Sequence, residues 1–305
     1  MIHIAIAADM NIEAGLHVTL YSAIKSLSES AVVHLFLKDF SFEAIERLGG
    51  TVSEFSHNCE LRMYDATQID TGQGKGLHQN KMPYVLLSIP ELVSCERIIC
   101  LDADLLITTD LKELFDLELG GCTVGAVGTV PLKYSWGKER DFLLSVGIDD
   151  ESIYFNSGVL LIDTREWKKR RITQVSLDLA SKHSKQLHTA DQTVLNAVLK
   201  DQILYLPTKY NVFCFPETPP IDIEEMDGIY HFVGSPKPWD LMGEFLHASY
   251  PAFRKYLAKT RLADYRSYKG LRLNRLKRSF RIAGPYVRII RVRVSSFLKS
   301  RGLRN

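Results

Sequence analysis

With 305 residues, 46% of them hydrophobic and 24% charged, the chain has the make-up of a globular protein large enough for one sizeable α/β domain and an appendage. Five cysteines, Cys59, Cys95, Cys100, Cys122 and Cys214, are odd in number and form no C-x-x-C pair, which excludes a zinc knuckle or a disulfide framework and suits a reducing cytoplasm. The net charge of +2 conceals a division: residues 265–305 carry 13 Lys and Arg and no acid, leaving 25 basic against 36 acidic residues in 1–264.

In chain order, Ile2–Ala8 is an apolar run ending at Asp9 and reads as the first core strand. Nothing before it resembles a basic n-region with a cleavage site, and no apolar run reaches the length of a bilayer span, so the expectation is a cytoplasmic chain that meets membranes only at their surface. Apolar residues at helical spacing follow from His17 to Leu27, then a second strand at Val32–Leu37. Further apolar runs at Arg97–Leu101, Cys122–Gly128, Val159–Ile162 and Ile203–Leu206 alternate with helical patterns. Asp110 and Thr164 stand where N-caps are wanted, before Leu111–Phe115 and Arg165–Trp167, and Thr189–Leu199 is another amphipathic stretch. Glycines in Asp70–Gly76 and prolines in Phe215–Pro220 predict loops. This alternation predicts an α/β fold, a mostly parallel sheet with helices on both faces, over residues 1–262, followed by a basic helical tail over 263–305. Ligands of such sheets gather beyond the carboxyl ends of the strands.

Two segments carry chemistry. The run Arg97–Ile107 contains Asp102-Ala103-Asp104, and strand alternation predicts both carboxylates on one side. Paired hard oxygen donors suit Mg2+ or Mn2+ with a bound diphosphate, while the bland alternative is a solvated acidic turn. In His231-Phe-Val-Gly-Ser-Pro-Lys-Pro-Trp239, a histidine precedes a glycine turn and a lysine held between two prolines. That loop offers one metal ligand and one phosphate-binding cation; otherwise His231 is a satisfied core residue.

Together with Tyr154-Phe-Asn-Ser-Gly-Val-Leu-Leu-Ile162 and Asp191-Gln-Thr-Val-Leu-Asn196, these motifs in this order resemble glycosyltransferase family 8 over roughly residues 1–260. The resemblance implies a GT-A fold, a Rossmann-like nucleotide-binding domain, and retaining transfer of galactose or glucose from a UDP-sugar with Mn2+ (Mg2+ being the alternative). Metal ligands would be Asp102, Asp104 and His231. Ala7, Asp9 and Asn11 would line the uridine pocket, Ala103 would also bind the donor, and Gly234 and Lys237 would meet the diphosphate. Asn156, Asp191 and Gln192 would face the donor sugar, Gln192 nearest the anomeric carbon; the bland readings are a loop carboxylate for Asp9, a turn residue for Asn156 and an N-cap for Asp191. Two positions depart from the family. Leu86 stands where a donor-binding arginine is expected, with Lys81 the nearest substitute, and Ile12 replaces an aromatic residue found after the first loop in some members.

On this reading the acceptor is a saccharide or glycolipid of the bacterial lipopolysaccharide type. Rival readings are a nucleotide-sugar hydrolase, a nucleotidyltransferase, a self-glucosylating protein and a non-catalytic nucleotide-sugar-binding protein. In the tail, Leu273, Leu276 and Phe280, then Tyr286, Ile290, Val294 and Phe297, recur among arginines and lysines. That spacing predicts two amphipathic basic helices that lie on anionic lipid rather than on nucleic acid, placing the protein peripherally on the cytoplasmic face.

Overall fold

A computed structural model describes residues 1–55, 58–72, 81–135, 137–220, 222, 227–268, 280 and 283–300. Strands β1 (Ile2–Asp9), β2 (Ala31–Lys38), β3 (Cys59–Asp65), β4 (Arg97–Leu101), β6 (Val124–Pro131), β7 (Ile153–Asp163) and β8 (Ile203–Tyr205) form one sheet in the order β3-β2-β1-β4-β7-β6-β8. Every pairing is parallel except those of β7, which runs antiparallel to both β4 and β6. Short strands β5 (Leu105–Ile107), β9 (Val212–Phe213) and β10 (Ile229–His231) make a second sheet, β5-β10-β9.

The near-continuous apolar strands follow from burial on both faces. Along β1, Ile2, Ile4, Ile6 and Ala8 enter one apolar cluster with Leu16 and Leu20 of the helix Glu13–Lys25. Ala5 and Ala7 face a second cluster, built with Leu87 of the helix Met82–Leu92 and Val194 of the helix Asp191–Leu199. Neighbouring residues of β4 and β7 divide in the same way, Ile99 and Leu161 to the first cluster, Ile98 and Ile162 to the second. Each such aliphatic side chain contributes about 1.5–3 kcal/mol of burial.

The expected alternation is present, with corrections in detail. The first helix begins at Glu13, not His17, and β7 extends the predicted Val159–Ile162 back to Ile153. Strand β3 and the helices Phe42–Val52, Met82–Leu92, Gly137–Ser145 and Ile172–Lys182 are elements the sequence reading did not name. Asp110 is the N-cap expected, accepting from the Lys112 N–H at 2.9 Å. Thr164 is not a cap: Asp163 accepts from the N–H groups of Arg165 and Glu166, and Thr164 is the first helical residue. Nor is Asp191, which opens its helix after Ala190. Phe215–Pro220 is irregular as predicted; residues 73–76 of the other predicted loop lie outside the described residues.

The tail contains one described helix, Ala283–Ser300. Tyr286 donates its hydroxyl to the Leu241 carbonyl, Ile289 is fully buried, and Arg288 pairs with Glu217 at 3.1 Å. That side docks on the body, so Tyr286 does not share an outward apolar stripe; Val287, Ile290 and Val294 form that stripe, 43–50% exposed. Leu273 and Leu276, with the rest of the first predicted tail helix before Phe280, lie outside the described residues, as does the Phe297 side chain. No helix among the described residues is long and apolar enough to cross a membrane.

Candidate functional site

The site lies beyond the carboxyl ends of β1 and β4, neighbours in the sheet. Asp102 and Asp104 fall after the end of β4, in the turn to β5, so strand alternation is not what aligns them. Backbone hydrogen bonds do: the Asp102 N–H donates to the Gly158 carbonyl of β7 at 2.8 Å, and the Asp104 carbonyl accepts from Phe232 N–H at 3.0 Å. The second bond brings His231 across. Its Nε2 stands 3.2 Å from Asp104 Oδ1 and 3.7 Å from Asp102 Oδ2, and one donor atom from each of the three residues lies within 4.8 Å of the others.

Packing fixes both sides of this cluster. Phe232, Trp239 and Phe253 meet with ring centroids 5.4–6.3 Å apart and anchor the loop that carries His231 and Lys237. On the other side the imidazole lies against Gly158, where a Cβ would sit 2.5 Å from His231 Cε1. Lys237 Nζ donates to Asp104 Oδ2 at 2.7 Å and to the Phe232 carbonyl.

Desolvation works against the Asp104 anion, yet the adjoining Lys237 ammonium and then the His231 ring overcome it and hold this carboxyl well below the usual range. Asp102 goes the other way, up to about 6, through desolvation in the crowded cleft floor and then the Asp104 charge, although 45% of its side chain still meets solvent. Asp191 is buried, and desolvation followed by the Asp102 charge pushes it up to about 8. The donor set fits a divalent cation: two carboxylates and an imidazole converge, and Asp104 Oδ1 is buried without a hydrogen-bond partner while facing a ring nitrogen.

The remaining predicted residues divide. Asn156 and Gln192 sit together, Asn156 Nδ2 donating to Gln192 Oε1 at 2.7 Å. Asp9 ends β1 and accepts from Asn11 N–H at 2.8 Å, with Ala7 two residues earlier on the same strand. Gly234 begins the cation-bearing loop with φ +75°. Lys81 reaches the Gly72 carbonyl at 2.8 Å. Leu86 is 9% exposed among the apolar side chains of its helix, a seat that suits an aliphatic residue and would desolvate a guanidinium. Sequence reasoning missed Asn211, whose Oδ1 lies 3.0 Å from His231 Nδ1, and Glu139, which Tyr154 reaches with its hydroxyl at 2.9 Å. No local pattern marks either one, although Tyr154, Ser157 and Gly158 lie within a motif already singled out.

A mostly parallel sheet that bears a carboxylate pair beyond the carboxyl end of its central strand, with a histidine loop packed against the pair, defines a GT-A α/β protein. The model for glycosyl transferase family 8 matches residues 3–243, and the chain belongs to that family; it is a hexosyltransferase. General stress protein A of Bacillus subtilis (strain 168) is 28% identical over 259 residues, covering 79% of this chain and 88% of that one. A lipopolysaccharide 1,2-glucosyltransferase of Escherichia coli is 26% identical, covering 79% of this chain and 74% of the other. Galactosyltransferase LgtC, solved in complex with donor and acceptor sugar analogues, shares the fold with a TM-score of 0.67 at 21% identity, over 85% of this chain and 96% of that one.

Proposed function

We propose that this chain moves a hexose, galactose or glucose, from a UDP-hexose to a saccharide or glycolipid acceptor, with retention of anomeric configuration. The observation that carries the reading is the convergence of Asp102, Asp104 and His231, with the buried Asp104 Oδ1 facing the imidazole nitrogen and making no hydrogen bond. Those three residues would hold Mn2+, or Mg2+ in its place, which when bound offsets the charge developing on a departing diphosphate. Lys237 and Gly234 border the same place, and the lysine adds a second positive charge there. Ala7, Asp9 and Asn11 would meet the uridine, with Ala103 between the two aspartates and Lys81 as a further donor-binding cation.

Asn156, Asp191 and Gln192 would face the sugar. Burial disfavours the Asp191 anion and so weakens it as a nucleophile, and the Gln192 carbonyl is already engaged by Asn156, both of which favour same-face transfer over a covalent intermediate. The outward stripe of Val287, Ile290 and Val294 among arginines would rest on an anionic membrane, close to a lipid-linked acceptor of the lipopolysaccharide type.

Calorimetry with UDP-galactose and UDP-glucose, with and without Mn2+, tests the donor site. Binding should need the cation and be lost in Asp104→Asn; metal-independent binding that survives this substitution would refute the assignment. NMR of the product decides the stereochemistry, inversion being the refuting result, and rapid conversion of donor to free sugar without acceptor would make the protein a hydrolase instead. Co-sedimentation of the full chain with anionic liposomes should weaken in Ile290→Glu with Val294→Glu, and unchanged binding would remove the membrane role.

A further inference from the structure

Behind the carboxylate and histidine cluster, five side chains form a continuous line. His231 Nδ1 meets Asn211 Oδ1 at 3.0 Å, Asn211 Nδ2 donates to Asn156 Oδ1 at 2.7 Å, and Asn156 Nδ2 donates to Gln192 Oε1 at 2.7 Å. Gln192 Nε2 donates to the Tyr154 hydroxyl at 2.8 Å, which donates to Glu139 Oε1 at 2.9 Å. Both ends are closed to water: His231 and Asn211 are each 4% exposed, and Glu139 is 3% exposed.

The direction of this line is settled by groups whose polarity is not in question. Backbone N–H groups only donate, so the atom that accepts from Gly158 N–H at 2.9 Å is the Asn156 oxygen, and the one facing Ser157 N–H at 3.4 Å is the Gln192 oxygen. With Asn156 oriented, Asn211 must turn its nitrogen towards Asn156 and its oxygen towards His231. That oxygen can only accept, so His231 Nδ1 carries a proton, and in the neutral ring the lone pair is then on Nε2, which faces Asp102 and Asp104. At the far end Glu139 Oε1 also accepts from Thr193 at 2.6 Å and Thr189 at 3.1 Å. Burial and then the Glu139 charge push the Tyr154 hydroxyl up, which keeps it a donor.

We propose that Asn211, Asn156, Gln192, Tyr154 and Glu139 act as a one-directional hydrogen-bond relay that fixes the tautomer of His231, with Asn211 and Glu139 as positioning residues. The cation-holding side and the sugar-facing side of the site are thereby set by one network, so that Gln192 and His231 cannot reorient independently. Hydrogen bonds to a ligating histidine's second nitrogen orient the ring and set its basicity, and chains of such bonds polarise one another. The inference deepens the proposed cation site and rests on that reading for its purpose, but its geometry is complete within the protein.

The test is nitrogen NMR of the full chain with 15N-labelled histidine, free of cation and donor and under conditions where the ring is neutral, the His231 signals being identified by their loss in His231→Gln. Wild type should show the Nδ1–H form. Asn211→Leu should move the ring to a mixture or to the Nε2–H form, whereas the isosteric Asn211→Asp, which still accepts, should retain Nδ1–H. Tyr154→Phe, which touches no proposed cation ligand, should shift the His231 nitrogens in the same direction by a smaller amount. An Nε2–H wild type, loss of Nδ1–H in Asn211→Asp, or a His231 unmoved by both Asn211→Leu and Tyr154→Phe would overturn the relay. Failure of cation-dependent donor binding in the calorimetry would instead overturn the reading of the site, so the two failures are distinguishable.

Discussion

Adding one methyl group at Gly158 should damage the site more than its size suggests. The Cβ would lie 2.5 Å from His231 Cε1, 2.8 Å from its Nδ1 and 2.9 Å from Asn156 Oδ1, where ordinary contacts begin near 3.4 Å, so the imidazole must retreat by about 1 Å. Retreat is blocked by Phe213, whose ring meets His231 edge to face with centroids 5.9 Å apart, and it breaks the bond to Asn211. Overpacking of this kind costs about 1–3 kcal/mol, and the lost buried hydrogen bond adds about 1. A total of about 2–4 kcal/mol corresponds to a melting temperature lower by roughly 3–6 °C in a chain this long. Displacing the imidazole from Asp102 and Asp104 should also weaken Mn2+ binding by about 10–100-fold. Scanning fluorimetry and calorimetry of Gly158→Ala read the two effects separately. A variant that melts with wild type and binds Mn2+ equally well would show that the ring is not wedged as described.

A control methyl at Gly49 should act in the opposite sense. Nothing lies within 4 Å of its Cβ position inside the helix Phe42–Val52, so Gly49→Ala should stabilise by about 0.5–1 kcal/mol in urea melts, and destabilisation would contradict the helix geometry. His17 and His247 are held down to about 3, His17 by burial and then Arg47, His247 by burial and then Lys237, against 6.5 for an ordinary histidine. Because the unfolded chain then takes up protons first, the stability carried by the neutral rings is full above pH 6.5 and is lost as pH falls. The loss is about 2 kcal/mol per histidine at pH 5, and His17→Gln should remove its share; equal pH slopes in urea unfolding would refute this. Asp191 has the reverse sign. With a folded value of about 8 against an ordinary 3.8, it destabilises progressively as pH rises from 4 to 8. Asp191→Asn should therefore stabilise the cation-free protein at pH 7 by up to about 4 kcal/mol, and identical pH profiles for both proteins would rule it out.

The sequence by itself determined the layered core, because a strand buried on both faces must be apolar at consecutive positions, as Ile2–Ala8 and Arg97–Leu101 are. Motif order then determined the family, and the resemblance named Asp102, Asp104 and His231 together, residues that the fold brings within 4.8 Å of one another. Tertiary structure alone decided how they meet. The two aspartates are aligned by backbone bonds to β7 and to Phe232, not by the alternation of their own strand. It also decided which side of the tail helix is outward, since Tyr286 and Ile289 turn towards the body. Asn211 and Glu139 were invisible for the same reason: a hydrogen bond between residues 15 or more positions apart leaves no periodic trace in the chain. Their role exists only once the fold has closed the line from His231 to Glu139 and excluded water from both ends.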